Sequence, residues 1–133
     1  MATTFAAVQA IGDQYKTLYI ESRRVVQAIR DRGERPTNET PEFAALLPEL
    51  RAQFAAWRAA QGAYLGERGW QCEVVSDTEH WARCAACGER MRYDRAMHHG
   101  RCDICGDCAD SLAGTSFRGN ACAACYDRVE ARA

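Results

Sequence analysis

Seven cysteines and one histidine stand at the spacings of metal ligands: Cys84-x2-Cys87, then His99-x2-Cys102-x2-Cys105-x2-Cys108, then Cys122-x2-Cys125. Two donors separated by two residues reach one ion because the backbone between them turns tightly, and four donors close a tetrahedral shell. Eight donors make two shells. Thiolate sulfur with one imidazole nitrogen selects zinc among common cellular metals, and four protein ligands leave no coordination position for water or substrate. The expected cofactors are therefore two structural Zn2+. His99 alone has the x2 spacing; His98 beside it and Cys72 upstream are the alternatives for the eighth ligand. Outside the shells, Cys72 reads as a buried apolar thiol.

No catalytic constellation accompanies these ligands. The carboxylates are scattered and no glycine-rich phosphate loop is present, so enzyme activity is not expected. Seventeen basic against eighteen acidic residues give a formal charge of −1, without the basic excess of a polyanion-binding protein. Arg90, Arg92, Arg95 and Arg101, with His98, form a local basic patch that is the candidate nucleic-acid contact. Glu89 and Asp94 interrupt it, and a solvated surface is its plainer reading. The first residues, MATTFAAVQAIGDQYK, lack the basic and apolar regions of a secretory signal, and no run is long enough to span a membrane. Eight cysteines in such a chain fit a reducing, cytoplasmic compartment. All basic residues but Lys16 are arginine and alanine is abundant, a composition of GC-rich bacterial or phage genomes.

Two elements must position this half. Over residues 3–31, Val8, Ile11, Tyr15, Leu18, Ser22, Val25 and Ile29 alternate at three and four, which predicts an amphipathic helix ending at Gly33. Thr40-Pro41-Glu42 supplies an N-cap, a first-turn proline and an acidic first turn for a second helix over 41–65. Pro48 predicts a kink or restart near Leu47. The second helix carries Phe43, Leu46 or Leu47, Leu50, Phe54, Trp57, Gln61 and Tyr64 on one face. An antiparallel helical hairpin, residues 1–67, is the expected N-terminal domain. From residue 68 short alternating stretches replace the helical period. Trp70, Cys72 and Val74 read as one strand face, Ser76-Asp77 as a turn, and Tyr126 onward as a short closing helix. Gly88 and Gly106 follow the second cysteine of their pairs, where the chain must turn back sharply. The predicted fold class is thus α plus a small zinc-stabilised domain over 68–133, with short β-hairpins and a C-terminal helix.

The ligand order C2-H-C5, uninterrupted from His99 to Cys108, resembles the LIM double zinc finger, a treble-clef type, from Cys84 to the C-terminal helix. That resemblance implies sequential pairing: Cys84, Cys87, His99 and Cys102 on one ion, Cys105, Cys108, Cys122 and Cys125 on the other. It also implies protein binding without catalysis. A RING-like cross-brace fits the same spacing, with Cys84, Cys87, Cys105 and Cys108 on one ion and His99, Cys102, Cys122 and Cys125 on the other. Gly114 to Cys125 resembles the tail of zinc-stabilised HNH endonucleases of the endonuclease VII type, but Asp110-Ser111-Leu112-Ala113 lacks their histidine, which implies a degenerate nuclease fold. Cys102-x2-Cys105-x2-Cys108 matches part of a ferredoxin iron–sulfur motif, and His80-x3-Cys84-x2-Cys87 matches a short anti-sigma zinc signature.

The function these readings favour is a non-enzymatic interaction module, an adaptor or regulator of a larger assembly. Phe54, Trp57 and Tyr64 are its candidate partner-binding face, and the N-terminal helices offer a dimer seam. Alternatives are nucleic-acid binding and RNA-polymerase binding, the latter because a helical hairpin before a zinc finger resembles the DksA-type factors.

Overall fold

The computed structural model describes residues 2–110, 112–114 and 120–130. The chain divides into two compact units, Met1–Tyr64 and Leu65–Ala133.

Helix α1 spans Phe5–Asp31, 27 residues, and Thr4 caps it, its Oγ1 accepting the Ala7 N–H at 3.1 Å. It closes with a Schellman pair, Gly33 N–H to Arg30 O at 2.9 Å and Glu34 N–H to Ile29 O at 3.2 Å. Of the expected seam, Val8, Ser22 and Ile29 are buried and Ile11, Tyr15, Leu18 and Val25 half-buried. Gly12 and Val26 are buried as well. The second helix is broken where proline predicts it: α2 is Pro41–Ala44 and α3 is Leu47–Glu67. Pro48 sits in the first turn of α3, where a missing N–H leaves no helix bond unmade. Thr40 precedes α2 but does not cap it through its side chain; its hydroxyl instead accepts the Thr37 N–H at 2.9 Å.

The two long helices run antiparallel. Phe5 near the start of α1 meets Tyr64 near the end of α3 with ring centroids 6.0 Å apart, and Tyr15 meets Phe54 at 5.3 Å and Trp57 at 5.6 Å. The Arg58 guanidinium lies 4.8 Å from the Phe54 ring centre and 4.6 Å from that of Trp57, a cation held over two ring faces.

In the second unit, β1 (Gln71–Val74), β2 (His80–Arg83) and β3 (Arg90–Arg92) form an antiparallel sheet in that order. A single turn, α4 (Tyr93–Ala96), follows. Two small hairpins come next, β4 (Gly100–Arg101) with β5 (Cys108–Ala109), and β6 (Ala113–Gly114) with β7 (Asn120–Ala121). Helix α5, Ala123–Glu130, closes the described chain. Ala82, Met91, Tyr93 and Ala96 are buried around the sheet, and Cys102, Ala121 and Cys125 form a second cluster with Leu112, Cys122 and Tyr126 against it. Strands this short, with so few large aliphatic side chains, cannot hold a fold by burial alone.

The expected shared face of Trp70, Cys72 and Val74 needs correction. Strand β1 begins at Gln71 and all four of its residues are exposed, Cys72 included. Its partner across the ladder, Ala82, is 1 % exposed. β1 is the outer strand with a neighbour on one side only, so the cover over Ala82 does not extend to Cys72. Among the described residues no helix is long and apolar enough to cross a membrane.

Candidate metal centre

Two hairpins built alike supply the first half of each ligand set. Cys84 N–H donates to Glu89 O at 2.9 Å and Gly88 N–H to Cys84 O at 3.0 Å; Cys102 N–H donates to Asp107 O at 2.8 Å and Gly106 N–H to Cys102 O at 2.9 Å. Both glycines have positive φ, 75° and 81°, a region that costs an L side chain about 1–2 kcal/mol. An arginine precedes each knuckle and bonds the carbonyl of that glycine: Arg83 Nη1 to Gly88 O at 2.8 Å, Arg101 Nε to Gly106 O at 3.0 Å. The device is therefore Arg-Cys-x-x-Cys-Gly-acid, written twice at 83–89 and 101–107.

The eight expected donors converge as two groups, but in neither expected pairing. Cys84, Cys87, His99 and Cys108 form one set, and Cys102, Cys105, Cys122 and Cys125 the other, each with all ligand atoms within 4.8 Å of one another. The sequential pairing fails because Cys102 heads its own knuckle and groups with Cys105, Cys122 and Cys125 instead of with His99. The cross-brace fails because Cys105 stays with that knuckle while Cys108, in β5, is carried back beside β4. Cys72 and His98 belong to neither set, so His99 is the nitrogen donor.

Spacing within the sets matches a single ion. Tetrahedral bonds of about 2.3 Å to sulfur and 2.0–2.1 Å to nitrogen put two sulfurs about 3.8 Å apart and a sulfur and nitrogen about 3.6 Å apart. Observed are 3.9 Å for Cys84 Sγ to Cys108 Sγ, 3.5 Å for Cys87 Sγ to His99 Nε2, and 3.9 Å for Cys105 Sγ to Cys122 Sγ. A disulfide needs about 2.05 Å, and all eight cysteines are unbridged. A cubane cluster would distribute its four thiolates over separate irons and hold them farther apart.

Electrostatics explain what an ion would do there. Burial alone would raise the Cys84 thiol, but amides from Cys87 and Ala86 outweigh it and bring it down to about 7. The amides of Cys105 and Cys122 bring Cys102 down to about 6. Burial and the neighbouring Cys84 push Cys108 up to about 12, and burial with Cys122 and Cys105 pushes Cys125 up to about 12. Sulfurs this close cannot all ionise without a cation among them, and a divalent metal supplies that charge. Arg128 Nη2 also donates to Cys125 Sγ at 3.1 Å.

His99 is oriented from behind. Its Nδ1 lies 2.9 Å from Asp110 Oδ1 while Nε2 faces Cys87, and its side chain is 4 % exposed. Arg95 clamps Asp110 at 3.2 Å and reaches Glu89 at 3.0 Å. Hydrogen bonds from His99 and then Arg95 hold the Asp110 carboxyl below its ordinary range. A carboxylate on Nδ1 fixes the tautomer that leaves the Nε2 lone pair for metal.

The candidate nucleic-acid arginines all have intramolecular partners. Arg90 pairs with Glu73 at 3.1 Å and lies 4.1 Å from the Trp81 ring centre, Arg92 lies 5.0 Å from the same ring, and Arg95 and Arg101 are engaged as above. Phe54, Trp57 and Tyr64, the expected partner face, are half-buried and packed against α1 rings. His80 belongs to neither ligand set; its ring centre lies 5.3 Å from that of Tyr93. Residues 115–119 of the HNH-like tail lie outside the described residues.

Sequence reasoning assigned no role to Asp110 or Arg83, and it read Arg95 and Arg101 as nucleic-acid contacts where the structure shows them bonded to Asp110 and to the Gly106 carbonyl. The repeated Arg-Cys-x-x-Cys-Gly-acid string was a signal for the knuckle arginines. Asp110 had none, because its role depends on lying across the β4–β5 ladder from His99. Comparison of the chain with family models, with curated proteins and with solved structures finds no match.

Proposed function

We propose that the second unit binds two Zn2+ as structural ions, and that the chain is a non-enzymatic interaction module, a cytoplasmic adaptor or regulator of a larger protein assembly. The observation that carries this is saturation: each donor set offers four protein ligands at single-ion spacing, which leaves no coordination position for substrate chemistry. Thiolate and imidazole donors favour zinc over harder cations. Zinc supplies charge neutralisation and cross-linking, while Asp110 orients His99 and the knuckle amides lower Cys84 and Cys102. The LIM-like ligand order supports the adaptor reading as a resemblance of composition and spacing. The interleaved pairing gives the double site a different wiring from that family.

Metal analysis of the purified chain should return two zinc per molecule, and affinity capture with the zinc-loaded chain should retain a stoichiometric protein partner that chelated material does not. Iron in place of zinc would overturn the cofactor assignment. Salt-sensitive retention on DNA or RNA, reduced by Arg92→Ala with Arg95→Ala, would replace the adaptor with the nucleic-acid alternative.

A further inference from the structure

The two ligand sets share one hairpin. Strands β4 and β5 pair Gly100 with Ala109 and Arg101 with Cys108. At the closed end of this ladder sits the Cys102-x2-Cys105 knuckle, half of the all-cysteine set. At its open end His99 immediately precedes β4, and Asp110, bonded to the His99 ring at 2.9 Å, immediately follows β5. Cys108 is itself a residue of β5. One two-pair ladder thus carries two ligands of each set, with the loop serving one ion and the stem the other.

A ladder of two residue pairs is too short to form by itself in water. Either ion must therefore close it. An ion held by Cys102, Cys105, Cys122 and Cys125 pins the loop, which brings Cys108 back beside His99 before the other ion arrives. An ion held by His99 and Cys108 pins the stem and brings the ends of the knuckle together. The ordering cost of the hairpin is met once and benefits both sites.

Given the two-zinc reading above, on which this inference rests, we propose that the β4–β5 hairpin couples the two sites so that the ions load cooperatively, with the one-metal protein scarce. Coupling between sites is reciprocal, and its usual range is about 5- to 150-fold. For two sites of equal intrinsic affinity, coupling of that size leaves about a third down to about a thirteenth of the molecules with one ion at the midpoint of loading, where independent sites leave half.

Native mass spectrometry of the full chain, with zinc added in steps to the reduced apoprotein, reads these populations directly. Zinc-free and two-zinc chains should dominate at one equivalent, and a one-zinc fraction of half or more would overturn the proposal. Inserting Gly-Ser-Gly between His99 and Gly100 keeps all eight ligands and both knuckles but detaches His99 from the stem. The one-zinc fraction should then rise to half or above, and an unchanged distribution would show that the hairpin is not the coupling element. As a second arm, Cys122→Ser breaks only the all-cysteine set. Co2+ titration, followed by the absorption of the three-sulfur, one-nitrogen site, should then show an affinity 5- to 150-fold below that of the intact chain; equal affinity would overturn the coupling. A chain that takes up no zinc in any arm would instead remove the two-zinc reading itself.

Discussion

Asp110 and His99 meet at 2.9 Å across the β4–β5 ladder, on the side of the imidazole away from Cys87. The carboxylate does not touch an ion position, yet it fixes which ring nitrogen is free to bind one. Asp110→Ala should lower metal affinity at the His-containing site by about 10–100-fold. Competition against a chromophoric chelator measures this, and an affinity equal to that of the unaltered chain would remove Asp110 from the site.

Chelation should act on one unit only. The strands of the second unit are two to four residues long, and structural zinc contributes on the order of 10–16 kcal/mol in small finger peptides. Removing metal should abolish the near-ultraviolet signal of Trp70 and Trp81 while the far-ultraviolet helical signal of α1 and α3 persists. Helicity that collapses along with the aromatic signal would show that the hairpin depends on the ions.

Gly12 is buried against the Trp57 indole, and a Cβ placed on it would lie 2.6 Å from Nε1 and 2.9 Å from Cε2. Alanine is a better helix former than glycine by about 1 kcal/mol. Overpacking against a ring already stacked on Tyr15 costs about 1–3 kcal/mol. Gly12→Ala should therefore destabilise the helical unit on balance, as read by urea unfolding followed at the helical band. A gain in stability would mean that the indole moves aside freely.

Cys72 is exposed and outside both ligand sets. Iodoacetamide should alkylate it first in the zinc-loaded chain, with the other seven thiols protected until chelator is added. Peptide mapping decides the order, and early labelling of Cys87 or Cys105 would contradict closed sites.

Glu42 has its carboxyl held below the ordinary range by its own backbone amide and then by Arg32, 2.9 Å away. A depressed folded value means that its contribution is present above the unfolded pKa and is lost as pH falls through the folded one. Carbon-detected titration of the Glu42 carboxyl should show a midpoint below that of an ordinary glutamate, and Arg32→Ala should return it upward.

The helices were legible because their signals are local. Three-and-four spacing placed α1, and proline chemistry placed the break before α3. The eight donors were legible for the same reason, since a two-residue spacing is a property of one turn. What the sequence did not disclose was the grouping of those donors. Cys108 joins His99 only through the register of a ladder two residues long, and no periodicity announces that register. Cys72 was misplaced because alternation identifies a face but not whether anything covers it.

The order of the donors along the backbone, three for one ion, two for the other, then one and two, has a consequence for protein engineering. No single scission of the main chain yields two pieces that each retain a full quartet, since the stretch from Cys102 to Cys108 belongs to both. Anyone grafting this unit onto another scaffold must move it as one indivisible block.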